Sequence, residues 1–316
     1  MITRVLVPLD GSANAAAAWP YGRLIARAVG AELEVLWIVE PFVDLARSRM
    51  TRNESDIDET ATVEGVSFEQ LRAAQERTRR DAQAHLDTIA AEAAADGTPV
   101  TTLVREGQPA EAIIEAAGSQ EGTLICMGTH GRSGIMRWIY GSVADRVIHH
   151  AETSTLVVRS KDGQKRAPET IRRVVVPVDG SLLSEQAVPM AVDIAKSLGV
   201  GITVMRALDL GLEGVVPASD LGEAPVINVA MMREESQAYI DNIAKRVRGL
   251  GITDFDTRTV DERPADAIVD EVGSAGDKLV VMGSHGRSGA GRWLLGSVAD
   301  NVVRHSAGPA LIVRRA

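Results

Sequence analysis

Two stretches of the chain carry the residues best suited to chemistry, and they are near copies of one another. Residues 127–147 read MGTHGRSGIMRWIYGSVADRV and residues 282–302 read MGSHGRSGAGRWLLGSVADNV. Each shows Gly-x2-Gly, nine residues, then Gly-Ser: Gly128, Gly131, Gly141 and Ser142, and again Gly283, Gly286, Gly296 and Ser297. The pattern predicts a loop that runs into a helix. Glycines let backbone N–H groups turn toward one spot and let a ligand come close, while a helix start adds unpaired donors and a partial positive charge. The guest that such a site selects is a phosphate chain.

In the first copy, entered through Met127, the donors are expected from Gly128, Thr129, His130, Gly131, Arg132, Ser133 and Gly134, and from Gly141, Ser142 and Val143. In the second, entered through Met282, they are Gly283, Ser284, His285, Gly286, Arg287, Ser288 and Gly289, with Gly296, Ser297 and Val298. The hydroxyls of Ser142 and Ser297 are read as further donors that also cap the helix. Arg132 and Arg287 are the charge partners, since a guanidinium grips phosphate oxygens through two N–H bonds. The spacing is not that of a P-loop, which places a lysine before the Ser/Thr, nor Gly-x-Gly-x-x-Gly after a first strand.

Asp10-Gly11-Ser12 and Asp179-Gly180-Ser181 close the first strand of each half. Asp10 and Asp179 are expected at the crevice, accepting from ribose hydroxyls; a purely structural alternative makes them helix caps. His130 and His285 have no second His, Cys or carboxylate at a liganding interval on the same element, so no metal is expected there. Asp145 and Asp300, one turn into the helix, suit its positive end, with Mg2+ contact as a second reading. Trp138 and Trp293 are read as packed loop anchors. Phosphoryl transfer needs a positioned nucleophile or base and a metal-holding group besides a cradle. The chain offers the cradle and an arginine, so binding without efficient turnover is favoured over catalysis.

These residues are positioned by an alternation of short apolar runs and amphipathic segments. In the first half the runs 3–9, 32–39, 100–104, 123–127 and 155–159 are strand-like; segments 13–29, 67–95, 109–117 and 142–150 are helical. The second half repeats the first. Asp10 and Asp179 are 169 positions apart while Gly128 and Gly283 are 155 apart, so the first repeat carries 14 extra residues near its second strand. Residues 41–66 and 209–225, polar and weakly periodic, read as loops and as candidate moving parts. Copies of about 150 residues are duplicated domains rather than solenoid units. The expected boundaries are residues 1–160 and 171–316, joined by a linker at 161–170.

Composition narrows the function. The chain of 316 residues is 45% hydrophobic and 24% charged, with a formal net charge of −9. That balance suits a globular protein and argues against nucleic-acid or anionic-membrane partners, which call for a basic face. No run is long and apolar enough to span a bilayer, and residue 1 leads directly into a strand, so the expected location is the cytoplasm. The single cysteine, Cys126, lies in an apolar strand and reads as a small buried residue.

Strands alternating with helices imply an α/β protein with parallel sheets covered on both faces. The doubled Gly-x2-Gly-x9-Gly-Ser loop, after a fourth strand and before a last helix, resembles the nucleotide-binding loop of the universal stress protein family. The resemblance covers nearly the whole chain as a tandem pair. It implies two doubly wound five-stranded parallel sheets of order 3-2-1-4-5, Rossmann-like and similar to adenine nucleotide alpha hydrolases, with the crevice between strands one and four. It also implies ATP as ligand, one per domain, with Mg2+ as an accompaniment, and adenine near the end of strand two, around Val39 and Ala207, held by backbone contacts. The favoured role is a nucleotide-dependent regulatory module of the stress response, acting on an unidentified protein partner. A slow ATPase or adenylyl-transferring enzyme and a structural protein with empty sites are the alternatives. The resemblance further suggests a homodimer through the exposed last-strand edges, which in a tandem chain could instead pair with each other.

Overall fold

The computed structural model describes residues 1–41, 62–63, 66–118, 120–130, 142–160, 170–209, 229–284 and 295–314. In the first half, β1 (Arg4–Leu9) leads into two short helical pieces, α1 (Ala13–Ala16) and α2 (Trp19–Val29), then β2 (Glu32–Val39). A small hairpin, β3 (Thr62–Val63) and β4 (Val66–Ser67), precedes α3 (Phe68–Ala95); then come β5 (Val100–Glu106), α4 (Pro109–Ala117), β6 (Thr123–His130), α5 (Ser142–His150) and β7 (Ser154–Ser160). The second half follows the same plan with β8 (Arg173–Pro177), α6 (Leu182–Glu185), α7 (Ala187–Leu198), β9 (Gly201–Ala207), α8 (Val229–Gly249), β10 (Phe255–Val260), α9 (Pro264–Val272), β11 (Lys278–Gly283), α10 (Ser297–His305) and β12 (Ala310–Val313).

Several local details differ from the sequence reading. The helix expected over residues 13–29 is broken after α1, because Pro20 sits in the first turn of α2 and cannot donate back to the preceding turn. The fourth strand runs three residues past its expected end, so Thr129 and His130 are ladder residues opposite Arg159 and Ser160 of β7. Within residues 41–66, read as a loop, β3 and β4 pair; residues 42–61 lie outside the described residues, as do 210–228 in the second half.

Within the main sheet all pairings inside each half are parallel, and the strand order is β5-β2-β1-β6-β7 in the first and β10-β9-β8-β11-β12 in the second. Each half is therefore ordered 3-2-1-4-5. The two sheets meet edge to edge, because β12 pairs with β7 in antiparallel register, Leu311 opposite Leu156, giving one ten-stranded sheet. The last-strand edges expected to support a homodimer are thus already joined within one chain. This satisfies two rows of backbone donors and acceptors that would otherwise invite another chain. Helix α2 packs on α7 over the same seam.

The buried side chains form two layers, one on each face of the sheet, and each layer runs unbroken through both halves. Strand alternation divides them: Leu33 and Val35 of β2 face α2 and α3, whereas Leu36 faces α4 and α5. Of the inner stripe expected on α3 from Leu71, Ala74, Thr78, Ala82, His85, Leu86 and Ile89, Ala82 and Leu86 are buried, and His85 is exposed. One consequence governs the site. Antiparallel joining of the two parallel sheets sets the carboxyl ends of their strands at opposite rims of the slab.

Candidate functional site

The carboxyl end of β1 is shaped by the turn 10–12. Gly11 has φ of +79°, a left-handed conformation that glycine adopts without strain, and the Ser12 N–H donates to Asp10 Oδ1 at 2.9 Å. Ser12 Oγ then caps α1 by accepting from the Ala15 N–H at 3.1 Å. The second half repeats this: Gly180 has φ of +90°, the Ser181 N–H and hydroxyl donate to Asp179 Oδ1 at 2.9 and 2.6 Å, and Ser181 Oγ accepts from the Ser184 N–H at 3.1 Å. So the serines cap the helices, and the aspartates tie the turn that places them.

Beside this turn, between the ends of β1 and β6, lies a cavity of about 290 Å³. The structure brings Asp10, Ser12, Met127, Gly128, Ser142 and Val143 together around it, as the sequence reading expected. Val39 is 2% exposed and is not among the lining residues; its carbonyl accepts from the Gly107 N–H at 3.2 Å, and its neighbours Ile38 and Glu40 face the cavity instead. In the second half Ala207 ends β9 half-buried, in the place of Ile38. Asn14, Pro109 and Ile113 also line the cavity and were not anticipated. Strand alternation pointed to Ile38, and the repeated Gln-Pro-Ala or Arg-Pro-Ala step before α4 and α9 pointed to Pro109. Nothing local marks Asn14.

Gly128 owes its identity to packing. A Cβ there would lie 1.8 Å from the Asn14 carbonyl oxygen and 3.2 Å from the Ala15 Cα. At Gly283 the same atom would lie 2.7 Å from the Leu183 carbonyl oxygen. These two glycines let α1 and α6 come down on the strand ends, where the sequence reading had them admitting a ligand. Their flanks are deep in the sheet: Met127, Thr129 and Met282 are buried.

The loop is pinned at its base in the second half. The Ser284 N–H donates to the Val313 carbonyl at 3.2 Å, and the Gly296 N–H donates to the Ser284 carbonyl at 2.8 Å. Gly296 is the N-cap of α10 and no side chain caps that end, so Ser297 is the first helical residue and does not cap. Ser142 likewise begins α5, and both serines are exposed while Val143 and Val298 are half-buried. The hydroxyls thus stand at helix starts whose N–H groups have no intrahelical partners. Gly131, Arg132, Ser133, Gly134 and Gly141 lie outside the described residues, as do His285, Gly286, Arg287, Ser288, Gly289, Trp138 and Trp293. His130 is placed by its backbone in β6.

The cavity is electrically polar. Asp10 and Glu40 line it at the ends of β1 and β2, whereas Ser142 and Val143 bring the positive end of α5. Asp145 and Asp300 turn to partners one turn on, His149 Nδ1 at 3.6 Å and Arg304 Nε at 2.8 Å. Among the described residues no group of three or more His, Cys, Asp or Glu is placed to hold a metal ion.

The two halves brace the turn differently. In the first, the Trp37 ring lies beneath Gly11, 3.0 Å from where a Cβ would sit, and meets the His85 ring edge-on at 5.2 Å. In the second, Arg206 takes the place of Trp37 and stacks on the Tyr239 ring at 4.8 Å. The Tyr239 hydroxyl donates to Glu185 Oε1 at 3.1 Å, and Arg246 also bonds Glu185. Burial, followed by the charge and hydrogen bond of Glu185, pushes the Tyr239 phenol up to about 12, with Arg206 opposing.

Comparisons with known proteins bear on the family and the fold. The model of the universal stress protein family matches residues 1–159 and 170–314. A universal stress protein of Mycobacterium tuberculosis is 29% identical over 222 residues, covering 69% of this chain and 66%, just under two thirds, of its own length. The crystal structure of a universal stress protein from Archaeoglobus fulgidus superimposes with a TM-score of 0.68 at 18% identity, covering 99% of this chain and 98% of its own, a likeness of fold. A universal stress protein solved in complex with cAMP is 29% identical, covers 46% of this chain and 98% of its own, and has a TM-score of 0.35.

Proposed function

The chain belongs to the universal stress protein family and carries two of its domains in tandem, and from that premise we propose that each domain binds an adenine nucleotide as a regulatory ligand. The domains in this reading are residues 1–160 and 171–316, with 161–170 as linker. The observation that carries it is the cavity at the end of β1, acidic where Asp10 and Glu40 line it and positive where α5 begins. A nucleotide has the complementary polarity. Ribose hydroxyls donate to a carboxylate, and phosphate oxygens accept from the N–H groups of a helix start.

A volume near 290 Å³ lies at the lower end of the range for small-molecule sites and suits the nucleoside part. Ile38, Pro109 and Ile113 give the base apolar walls. Asp10 would hold the ribose, and Ser142 with Val143 would hold the first phosphates; Asp179, Ser297 and Val298 are the counterparts in the second domain. The Gly131–Gly134 and Gly286–Gly289 runs, with Arg132 and Arg287, would complete the phosphate contacts, and Mg2+ would arrive with the phosphates. Holding ATP rather than cleaving it fits a site in which Asp10 is given to the ribose and no lysine is among the described lining residues. Because β7 and β12 pair within the chain, a homodimer would use another face.

Isothermal titration of the full chain with ATP and Mg2+, together with mass spectrometry of ligand released on denaturation, tests the proposal. The expected result is two molecules of adenine nucleotide per chain with little phosphate release. No heat, and no nucleotide in the released fraction, would refute it.

A further inference from the structure

Arg159 and Arg314 stand at matching positions, 155 residues apart, the first near the end of β7 and the second directly after β12. Both reach over the seam into the other domain. Arg314 Nη2 donates to the carbonyl oxygen of Ile148, in the last turn of α5. Arg159 Nη1 donates to the carbonyl oxygen of Arg304, in the last turn of α10, at 2.5 Å. The Arg314 backbone N–H adds a bond to Ser154 Oγ at 3.1 Å, fixing the stem of that side chain to the first domain.

The carbonyls reached in this way belong to one kind of element only. α5 and α10 are the nine-residue helices that begin at Ser142 and Ser297. A helix leaves its last carbonyls unpaired and carries partial negative charge at that end, so a guanidinium there supplies both a donor and a complementary charge. The local side chains are otherwise engaged: His149 and His150 bond the Asp145 and Arg146 carbonyls at 2.7 and 2.9 Å, leaving Ile148 to the arginine from the other domain. The Arg314 guanidinium is half-buried, and loss of water disfavours its charge. That is a cost the fold bears for this contact.

We propose that Arg159 and Arg314 are positioning residues acting in trans, each seating the helix whose first turn holds phosphate in the opposite domain. The proposal rests on the reading of Ser142 and Ser297 as phosphate ends. A helix of this length is a rigid rod of about 13 Å, so release of one end is felt at the other. Each site is then incomplete without the neighbouring domain, and the duplication is a working pair rather than two independent copies.

The test uses full-length chains with one site disabled. Ser297→Glu leaves the first domain's site and Ser142→Glu leaves the second's, since a carboxylate at the phosphate end repels the ligand while suiting a helix start. Arg314→Gln in the Ser297→Glu chain is expected to weaken Mg-ATP binding three- to tenfold by titration, and to leave the Ser142→Glu chain within twofold. Arg159→Gln gives the mirror result, and Arg314→Lys recovers most of the loss. Equal loss at both sites, loss confined to the arginine's own domain, or unchanged affinity would each overturn the proposal. An arm without nucleotide separates this failure from failure of the site assignment. In the unliganded chain, Arg314→Gln should speed amide hydrogen exchange over residues 145–150 and spare 300–305. If the wild-type chain takes no ATP, the site assignment falls, and unaltered exchange over 145–150 then overturns the positioning role as well.

Discussion

A Cβ placed on Gly128 would stand 1.8 Å from the carbonyl oxygen of Asn14, so the strand that opens the glycine-rich segment and the helix that follows the aspartate turn share one van der Waals contact. Neither backbone can retreat cheaply, since α1 is capped by Ser12 and Gly128 is paired with Val158 in the ladder.

Gly128→Ala is therefore expected to cost about 3 kcal/mol, the upper range for overpacking, because the clash is with main chain and not with a flexible side-chain end. Gly283→Ala, whose nearest atom is 2.7 Å away, should cost less. Urea denaturation of both variants checks the order. Equal midpoints to wild type would contradict the packing account.

Ser142→Glu and Ser297→Glu each place a negative charge at a helix start. Stability should stay within about 0.5 kcal/mol of wild type, since acidic residues suit that end. Nucleotide affinity in the altered domain should fall about tenfold or more. Titration gives one site per chain for either variant and none for the double variant, with thermal melts as the control for folding.

Tyr239 gives a pH signature. Its phenol is raised by burial and by Glu185 to about 12 in the folded chain, against about 10 when unfolded. Between those values the unfolded state loses the proton first, so the folded state is progressively disfavoured as pH rises from 10 to 12. Wild type should lose stability over that window relative to Tyr239→Phe, and parallel curves would argue against the raised pKa. Below pH 10 the Phe variant should be weaker by about 1 kcal/mol, the worth of the hydrogen bond to Glu185.

Cys126 should be inert. It is fully buried, its thiol donates to the Ala18 carbonyl at 3.3 Å, and burial pushes its pKa far above the usual range. A thiol reagent at pH 8 should label the chain only in denaturant. Rapid labelling of the native protein would show that the packing of α2 on β6 opens readily.

Much of this was legible in the residues. The buried strands announced themselves as β-branched runs, and the two spacings of 169 and 155 fixed the duplication and the place of the extra segment. That Asp10 and Gly128 stand beside one crevice followed too, because Asp10 ends one strand and Gly128 lies near the end of another that neighbours it. What failed were statements that depend on facing or on distant contact. The resemblance points to the backbone around Val39, while the side chains that line the cavity there are those of Ile38 and Glu40, because neighbours along a strand face opposite sides. Ser297 was read as a cap, but the cap falls on Gly296. The glycine of Gly128 looked like an opening for ligand because the sequence does not show α1 resting on it. The arginines over the seam left no mark, as a guanidinium near a strand end is ordinary until the partner helix is in place.

The antiparallel meeting of the two sheets has a further bearing on how such a chain could be read. The carboxyl ends of the two strand sets look away from each other, so ligands held there as proposed would never touch, and no small effector would bridge them. A partner that had to sense both would need to embrace the slab from either rim, or else feel tension passed along its middle.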